Sequence, residues 1–473
     1  MMNLRGFCRS MNISIDIADQ TAQPAQAREL YRELEPVLRG SSVALDPTKV
    51  EALLRVLGNS NFLARWARRH PDAVAEILSQ DLSTPYSQDD FFAEFSALLQ
   101  DTNLEEERLA DLLLERKYRH LFRISLRDVG MGRPFREIVA EFSALARAIV
   151  QISLDWQWKN FRKEYGPALN ADASKAEIPF CILALGKLGG DELNFSSDID
   201  ILYFYGSDQG RIPRRSDWNP HEYFTKLAER LSAFLRKKTA EGFLYRVDLE
   251  LRPEGKSGTL VNGIDALEDY YESFGADWEK QALIRASLAA GDRDLCQDFL
   301  RRIHPFVFPK MSDFGFLDRL ARMKEKILES IRKRLNQSFH VKLGEGGIRE
   351  AEFFVQSLQL LFGGLHPELQ VANTLEVLPR LRDAGLIEAS EEAALEKAYS
   401  FLRTMEHRLQ LAEEQQTHEL PESDDELRQL ARRMGYADRD ANTASARMLG
   451  DLQLHRQTVQ GMFNDLISKR YEV

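Results

Sequence analysis

Cysteine is scarce: Cys8, Cys181 and Cys296 are the only three in 473 residues. They are scattered, with no C-x-x-C pair, which excludes a disulfide framework and a thiolate zinc site and fits a reducing, cytoplasmic setting. Long apolar runs are missing as well. The longest, such as 178–185, have strand length and fall far short of the roughly 18 residues of a membrane span. The first fifteen residues carry Arg5 and Arg9 but no continuous apolar segment of the kind a secretory signal needs. Positive charge is in deficit, with 63 Lys and Arg against 74 Asp and Glu and a net charge of −11, so the whole molecule offers no attractive field to nucleic acid or an anionic membrane. There is no G-x-x-x-x-G-K-[ST], no H-E-x-x-H and no nucleophile elbow, and 344–347 do not complete G-x-G-x-x-G. The nine histidines show no ligand spacing; His221, His340 and His407 read as surface or packing residues.

What remains is an ordinary globular composition, 44% hydrophobic and 29% charged, long enough for about three units at roughly 150 residues each. Apolar residues recur at helical spacing from Arg28 to Leu154, as in Leu53, Leu54, Leu57 and then Phe62, Leu63, Trp66. Breaks fall at Pro71, at 81–85 and at 130–134. A long helical pattern, Arg136 to Trp158, leads out of this part. Strands follow. Phe180–Leu185 and Ile199–Tyr205 are continuous apolar runs, and Leu244–Arg252 alternates, with Tyr245, Val247, Leu249 and Leu251 opposite Arg246, Asp248, Glu250 and Arg252. Between them Pro220–Lys238 reads as an amphipathic helix capped by Asn219. Helical periods return at Leu317–Leu335, Arg349–Phe362, Leu375–Ala384 and Glu391–Gln410. We expect a helical domain over 1–150, an α/β domain over 151–300 and a helical bundle over 301–473.

The residues richest in chemistry lie between Leu185 and Leu202. A strand ends in a glycine turn at Gly186, Gly189 and Gly190, and Asp198 and Asp200 then stand two apart on the next strand, so both carboxylates project from one face. Glycines let a backbone approach phosphate closely. Paired carboxylates supply the hard oxygen ligands that Mg²⁺ takes together with substrate phosphates. Asp248, on the polar face of the third strand, is the expected third carboxylate, and Arg246 and Arg252 point the same way, toward carboxylates or phosphate. An isolated D-x-D means little, but burying this many carboxylates without a cation is costly. Metal-assisted transfer of a nucleotidyl group is the chemistry left.

The pattern from Gly186 to Asp200 resembles the nucleotidyltransferase superfamily. More closely, G-K-L-G-G-D-E-L-N-F-S-S-D-I-D at 186–200, Y-R-V-D-L-E-L-R-P-E-G-K-S-G-T-L-V at 245–261, L-E-D-Y-Y at 267–271 and K-L-G-E-G-G-I-R-E-A-E-F at 342–353 resemble the bifunctional glutamine synthetase adenylyltransferase/adenylyl-removing enzymes. R-I-S-L-R-D-V at 123–129, E-H-R-L-Q at 406–410 and Q-Q-T-H-E-L-P at 415–421 extend the likeness over nearly the whole chain. The wording at these places is similar to the N-terminal, deadenylylating half of such enzymes.

The resemblance implies a mostly helical α+β fold, with a polymerase-beta-like α/β core on a mixed sheet and helical flanks. It implies Mg²⁺ on Asp198, Asp200 and Asp248. Phosphate and nucleotide would be bound by Gly186, Gly189, Gly190, Ser197, Arg252, Arg349 and Glu352, with Glu352 holding the arginine or a metal. It also implies phosphorolysis: inorganic phosphate removes AMP from a glutamine synthetase tyrosine and leaves as ADP, with the PII signalling protein as a further partner. Two positions depart from the family. Glu250 and Ser287 stand where arginines are usual, and Arg252 and Arg285 are the nearest candidates to compensate. Two other readings stay open: ATP-dependent adenylylation of a protein or small molecule, and a non-catalytic module that binds glutamine synthetase or PII. The intact aspartates favour catalysis. The basic stretch Arg319–Arg334 reads as a solvated or partner-facing surface, with neither nucleic acid nor membrane as partner.

Overall fold

The computed structural model describes residues 15–41, 46–172, 175–239, 241–310, 340–438 and 443–468. The chain opens with short helices: α1 (Pro24–Gly40), α2 (Pro47–Asn59), α3 (Asn61–Arg69), α4 (Pro71–Ser79) and α5 (Gln88–Ser96). Proline holds the first position of α1, α2 and α4, where its missing N–H is no loss. The Asp46 and Ser60 side chains cap α2 and α3 by accepting from Lys49 and Leu63. Two longer helices follow, α6 (Glu106–Ser125) and α7 (Phe135–Tyr165), joined through a π-helical turn at Leu126–Gly130. Helix α7 carries the chain from the helical part into the sheet and ends at Gly166, whose φ of +79° suits glycine.

The main sheet is mixed and five-stranded: β2 (Phe180–Ala184), β3 (Ile199–Tyr205), β5 (Val247–Asp248), β6 (Val261–Gly263) and β7 (Ser287–Gly291). Strands β1 (Leu169–Asn170) and β4 (Gly210–Arg211) make a separate antiparallel ribbon. β2 runs antiparallel between β3 and β7, while β5 and β6 both pair parallel to β3, one with its start and the other with its end. The continuous apolar runs follow from burial on both faces. Phe180, Ile182 and Ala184 join the core shared with the N-terminal helices, and Cys181 and Leu183 join a second core shared with the C-terminal helices. β3 divides in the same way, with Ile201 and Tyr203 on one side and Leu202 and Phe204 on the other.

Helix α8 (Pro220–Leu235) has the expected cap: Asn219 accepts from Glu222 N–H, and the Glu222 carboxylate accepts from Asn219 N–H. After the sheet come α9 (Ile264–Phe274), α10 (Asp277–Ile284), α11 (Arg293–Val307), α12 (Ile348–Phe362), α13 (Thr374–Asp383), α14 (Ala389–Glu413), α15 (Asp424–Arg433) and α16 (Ala444–Ser468). The fold is thus mostly helical α+β around a mixed sheet, and no helix among the described residues is long and apolar enough to cross a membrane. Two expectations need adjusting. The strand expected over Leu244–Arg252 is laddered only at Val247–Asp248; the burial alternation of Tyr245, Val247 and Leu249 holds, but from Leu249 the chain turns back on itself, with Arg252 N–H on Leu249 O and Gly255 N–H on Arg252 O. The helix expected over Leu317–Leu335, with its basic stretch Arg319–Arg334, lies outside the described residues.

Candidate active site

The parallel register of β3 on β5 sets Asp200 directly opposite Asp248, and neighbouring strands lie only about 4.8 Å apart. Asp198 immediately precedes β3 and shares the face of Asp200. By the same period of two, that face is the one that buries Leu202 and Phe204 toward the C-terminal helices. Burial pushes the Asp200 carboxyl up to about 7, and the charges of Asp198 and Asp248 add to the effect against a smaller pull from Lys342 and Lys187. Asp248 accepts from the Glu250 N–H at 2.7 Å. Asp198, Asp248, Arg236, Arg246, Arg252 and Lys256 line a cleft of about 430 Å³.

The glycine turn is one helical turn, Gly186–Gly189, between β2 and the loop to β3. Gly186 has φ +53°, and a Cβ there would collide with the Asp200 carboxylate. Glycine is required here by the close approach of backbone to that carboxylate. Gly189 and Gly190 serve a different need. A Cβ at Gly189 would strike the Arg285 carbonyl, and one at Gly190 would lie 3.0 Å from the Ala372 carbonyl. Their N–H groups donate to Leu185 O and Gly186 O. Of the three glycines, only Gly186 faces the carboxylates.

The residues expected to bind phosphate divide. Arg246 lies in the field of Asp198 and is anchored on Ser196. Ser197 is buried beside the aspartates. Arg252 lines the cleft, yet its guanidinium is spent on the carbonyls of its own loop, at Leu249, Lys256 and Gly258. Arg349 is exposed in the first turn of α12. Glu352 does not hold Arg349: its carboxylate accepts from Arg285 and from the Tyr399 hydroxyl, both at 3.1 Å. Arg285 itself is buried between Glu352, Glu192 and the Thr374 hydroxyl, so its guanidinium is already engaged and does not stand in for the arginines that the resemblance leads one to expect at positions 250 and 287. Ser287 donates to Gly189 O at 2.9 Å and accepts from Arg147 of α7 at 2.9 Å.

Among the described residues no group of three His, Cys, Asp or Glu side chains is gathered closely enough to hold a metal ion by itself. The donor chemistry nonetheless suits Mg²⁺. That ion is bound by one or two carboxylates, waters and substrate phosphates rather than by an all-protein cage, and mutually repelling carboxylates gain most from a cation. Asp198, Asp200 and Asp248 are the residues that would hold it.

A family model described as glutamate-ammonia ligase adenylyltransferase matches residues 50–302, more than half of the chain. The chain belongs to this family. Its sheet accordingly has the nucleotidyltransferase fold. A second family model, GlnD PII-uridylyltransferase, matches residues 321–467. The chain is 36% identical over 456 residues to the bifunctional glutamine synthetase adenylyltransferase/adenylyl-removing enzyme of Thioalkalivibrio sulfidiphilus, covering 96% of this chain and 46% of that one. The proteins of the same name from Hahella chejuensis (36% identical; 89% and 43% covered) and Shewanella loihica (33%; 94% and 46%) are similar too. The chain spans about half the length of these curated relatives.

Within this adenylyltransferase-family sheet, three residues that sequence reasoning left without a role stand close to the site. Lys187, inside the glycine turn, is buried with its ammonium on both oxygens of Glu406 of α14, at 2.9 and 2.8 Å. Arg147 reaches the turn from α7, donating to Leu188 O at 2.8 Å and to Asp191 at 3.0 Å. Lys342 places positive charge near Asp200, Lys187 and Glu352. None of the three had a signal in the sequence, because their partners come from distant segments, as with Lys187 and Glu406, 219 positions apart.

Proposed function

We propose that this chain removes AMP from an adenylylated tyrosine of glutamine synthetase by Mg²⁺-dependent phosphorolysis, releasing ADP and the free phenol. An oxygen of inorganic phosphate attacks the phosphorus of the tyrosyl-AMP ester, the bond from phosphorus to the tyrosyl oxygen breaks, and that oxygen takes up a proton. The observation that carries the reading is the Asp200–Asp248 register with Asp198 beside it. When bound there, Mg²⁺ neutralises phosphoryl oxygens and aligns attacking and leaving groups. Gly186 leaves room for the Asp200 carboxylate, and Arg246 and the exposed Arg349 offer charge to phosphate.

The direction of the reaction rests on the likeness at 186–200, 245–261 and 342–353 to a deadenylylating half, and the relatives' names hold both activities. The test is incubation of adenylylated glutamine synthetase with the chain, Mg²⁺ and phosphate. Loss of the modification with stoichiometric ADP is expected. Release of AMP without a phosphate requirement, or no release, overturns the reading; gain of AMP by unmodified glutamine synthetase with ATP assigns the adenylylating direction instead. PII is the regulatory partner this reading implies, tested by the response of the rate to PII and its uridylylated form.

A further inference from the structure

No residue of the motifs R-I-S-L-R-D-V and E-H-R-L-Q lines the carboxylate cleft. They meet elsewhere. Arg408 of α14 grips Asp128 of the π-helical turn with both terminal nitrogens, and this pair forms part of the wall of a cavity of about 700 Å³ between the N-terminal helices and α14–α15. Arg55, Arg432 and Arg433 line the same cavity.

Arg55, Arg432 and Arg433 make their hydrogen bonds to neutral oxygens. Arg55 donates to the Gly130 carbonyl at 3.0 Å. Arg433 donates to the Asn59 carbonyl at 2.8 Å and the Gln429 amide oxygen at 3.5 Å; Arg432 donates to the Thr21 carbonyl at 3.4 Å and stands 4.0 Å from Asp438. Burial outweighs the attraction of Glu413 and Glu426 for Arg433 and pushes its guanidinium down to about 10. Arg408 is only 9% exposed, and its Nε is buried without a hydrogen-bond partner. Four carboxylates line the cavity as well: Asp128 is held by Arg408, Asp19 by Arg28, Asp438 accepts from the Ala444 N–H and stands 4.0 Å from Arg432, and Asp16 lies on the same wall.

We propose that this cavity is a binding site for a small metabolite carrying phosphate or carboxylate groups, received by Arg55, Arg432 and Arg433 with Arg408 Nε behind them. Planar guanidiniums recognise both kinds of oxyanion by paired N–H donation, and a bound anion gives Arg55 and Arg433 a charged partner where they otherwise donate to carbonyl and amide oxygens. The volume accommodates a compact molecule. Arg408 lies two residues from Glu406, so one turn of α14 anchors both this cavity and the glycine turn. The site stands whichever nucleotidyl reaction the sheet carries out.

Calorimetric titration of the 473-residue chain with citrate and, separately, inorganic pyrophosphate, without divalent cations, tests it. At least one anion is expected to bind, citrate alone marking a carboxylate ligand and pyrophosphate alone a phosphate ligand. Arg432→Gln and Arg433→Gln should each weaken binding about tenfold or more, while Asp200→Asn leaves it unchanged. Arg432 is partly exposed, so its substitution tests the site even if Arg433→Gln does not fold, and Arg433→Lys should retain part of the affinity. Binding of neither anion, or binding unchanged by the arginine substitutions, overturns the proposal.

Discussion

Asp198, Asp200 and Asp248 meet where β3 and β5 begin side by side, with a surplus of negative charge. Glu192, Glu352 and Glu406 face the same glycine turn and the α12 and α14 helices, and there each carboxylate is matched by Lys187, Arg285 or Arg403. The turn serves both groups, Gly186 abutting Asp200 and Lys187 holding Glu406. The compensated cluster is scaffolding: its charges leave nothing for a ligand to neutralise. The uncompensated one keeps a deficit that, in the proposed reaction, a cation and substrate phosphates would fill. Acidic and basic letters in a motif therefore divide by whether the fold returns their partner, not by how close they stand to the aspartates in sequence.

Breaking the uncompensated side should cost the most. Asp200→Asn keeps the size of the side chain and removes the central charge, so the rate of AMP removal should fall on the order of 10³-fold. The circular dichroism spectrum should stay that of the parent, since the substitution relieves repulsion in the metal-free chain. A rate within tenfold of the parent would detach Asp200 from the chemistry. On the compensated side the loss should be of stability. Glu406→Ala leaves Lys187 and Arg403 buried without their anion, and His418 loses a carboxylate 2.7 Å away; urea denaturation should show about 3–5 kcal/mol lost.

The two sides should also separate by pH. Burial pushes the Lys187 ammonium down to about 8, since the pull of Glu406 is offset by nearby Arg403 and Lys342. Unfolded, the same lysine keeps its proton to about 10.4. Between those values the unfolded chain binds the extra proton, so folding stability rises with pH through about 8 to 10.4 and the gain is absent below 8. Comparison of urea curves at pH 7.5 and 9.5 should show the parent gaining on the order of 1–2 kcal/mol relative to Lys187→Met. An equal pH response in both chains would remove Lys187 as the source.

Much of this comparison was legible in the sequence. Apolar runs located β2 and β3, Asn219-Pro220 located the start of α8, and D-x-D followed by Asp248 located the carboxylates. Period two and helix caps are local rules, and they fail where a residue's partner is remote. Arg252 and Glu352 looked like phosphate and metal ligands beside their motifs. The fold turns Arg252 back on its own loop and gives Glu352 to Arg285, 67 positions away. The strand at Leu244–Arg252 was cut short for a related reason: alternation reports burial, whereas a ladder also needs a neighbour, and β3 offers β5 only two residues before β6 takes its place.

The smallest expected effect tests a family position that differs. Ser287 stands where the resemblance leads one to expect arginine, yet its hydroxyl ties Gly189 O to the Arg147 guanidinium, so positive charge reaches the turn from α7 instead. Arg147 has other acceptors at Leu188 and Asp191, and loss of the hydroxyl leaves it bound. Ser287→Ala should therefore cost only about 1 kcal/mol of stability and leave the AMP-removal rate within about threefold of the parent. Arg147→Met removes the charge itself, and its effect on rate should exceed that of Ser287→Ala. If Ser287→Ala proves the more damaging of the two, the serine acts on substrate directly and the charge supplied from α7 is not its replacement.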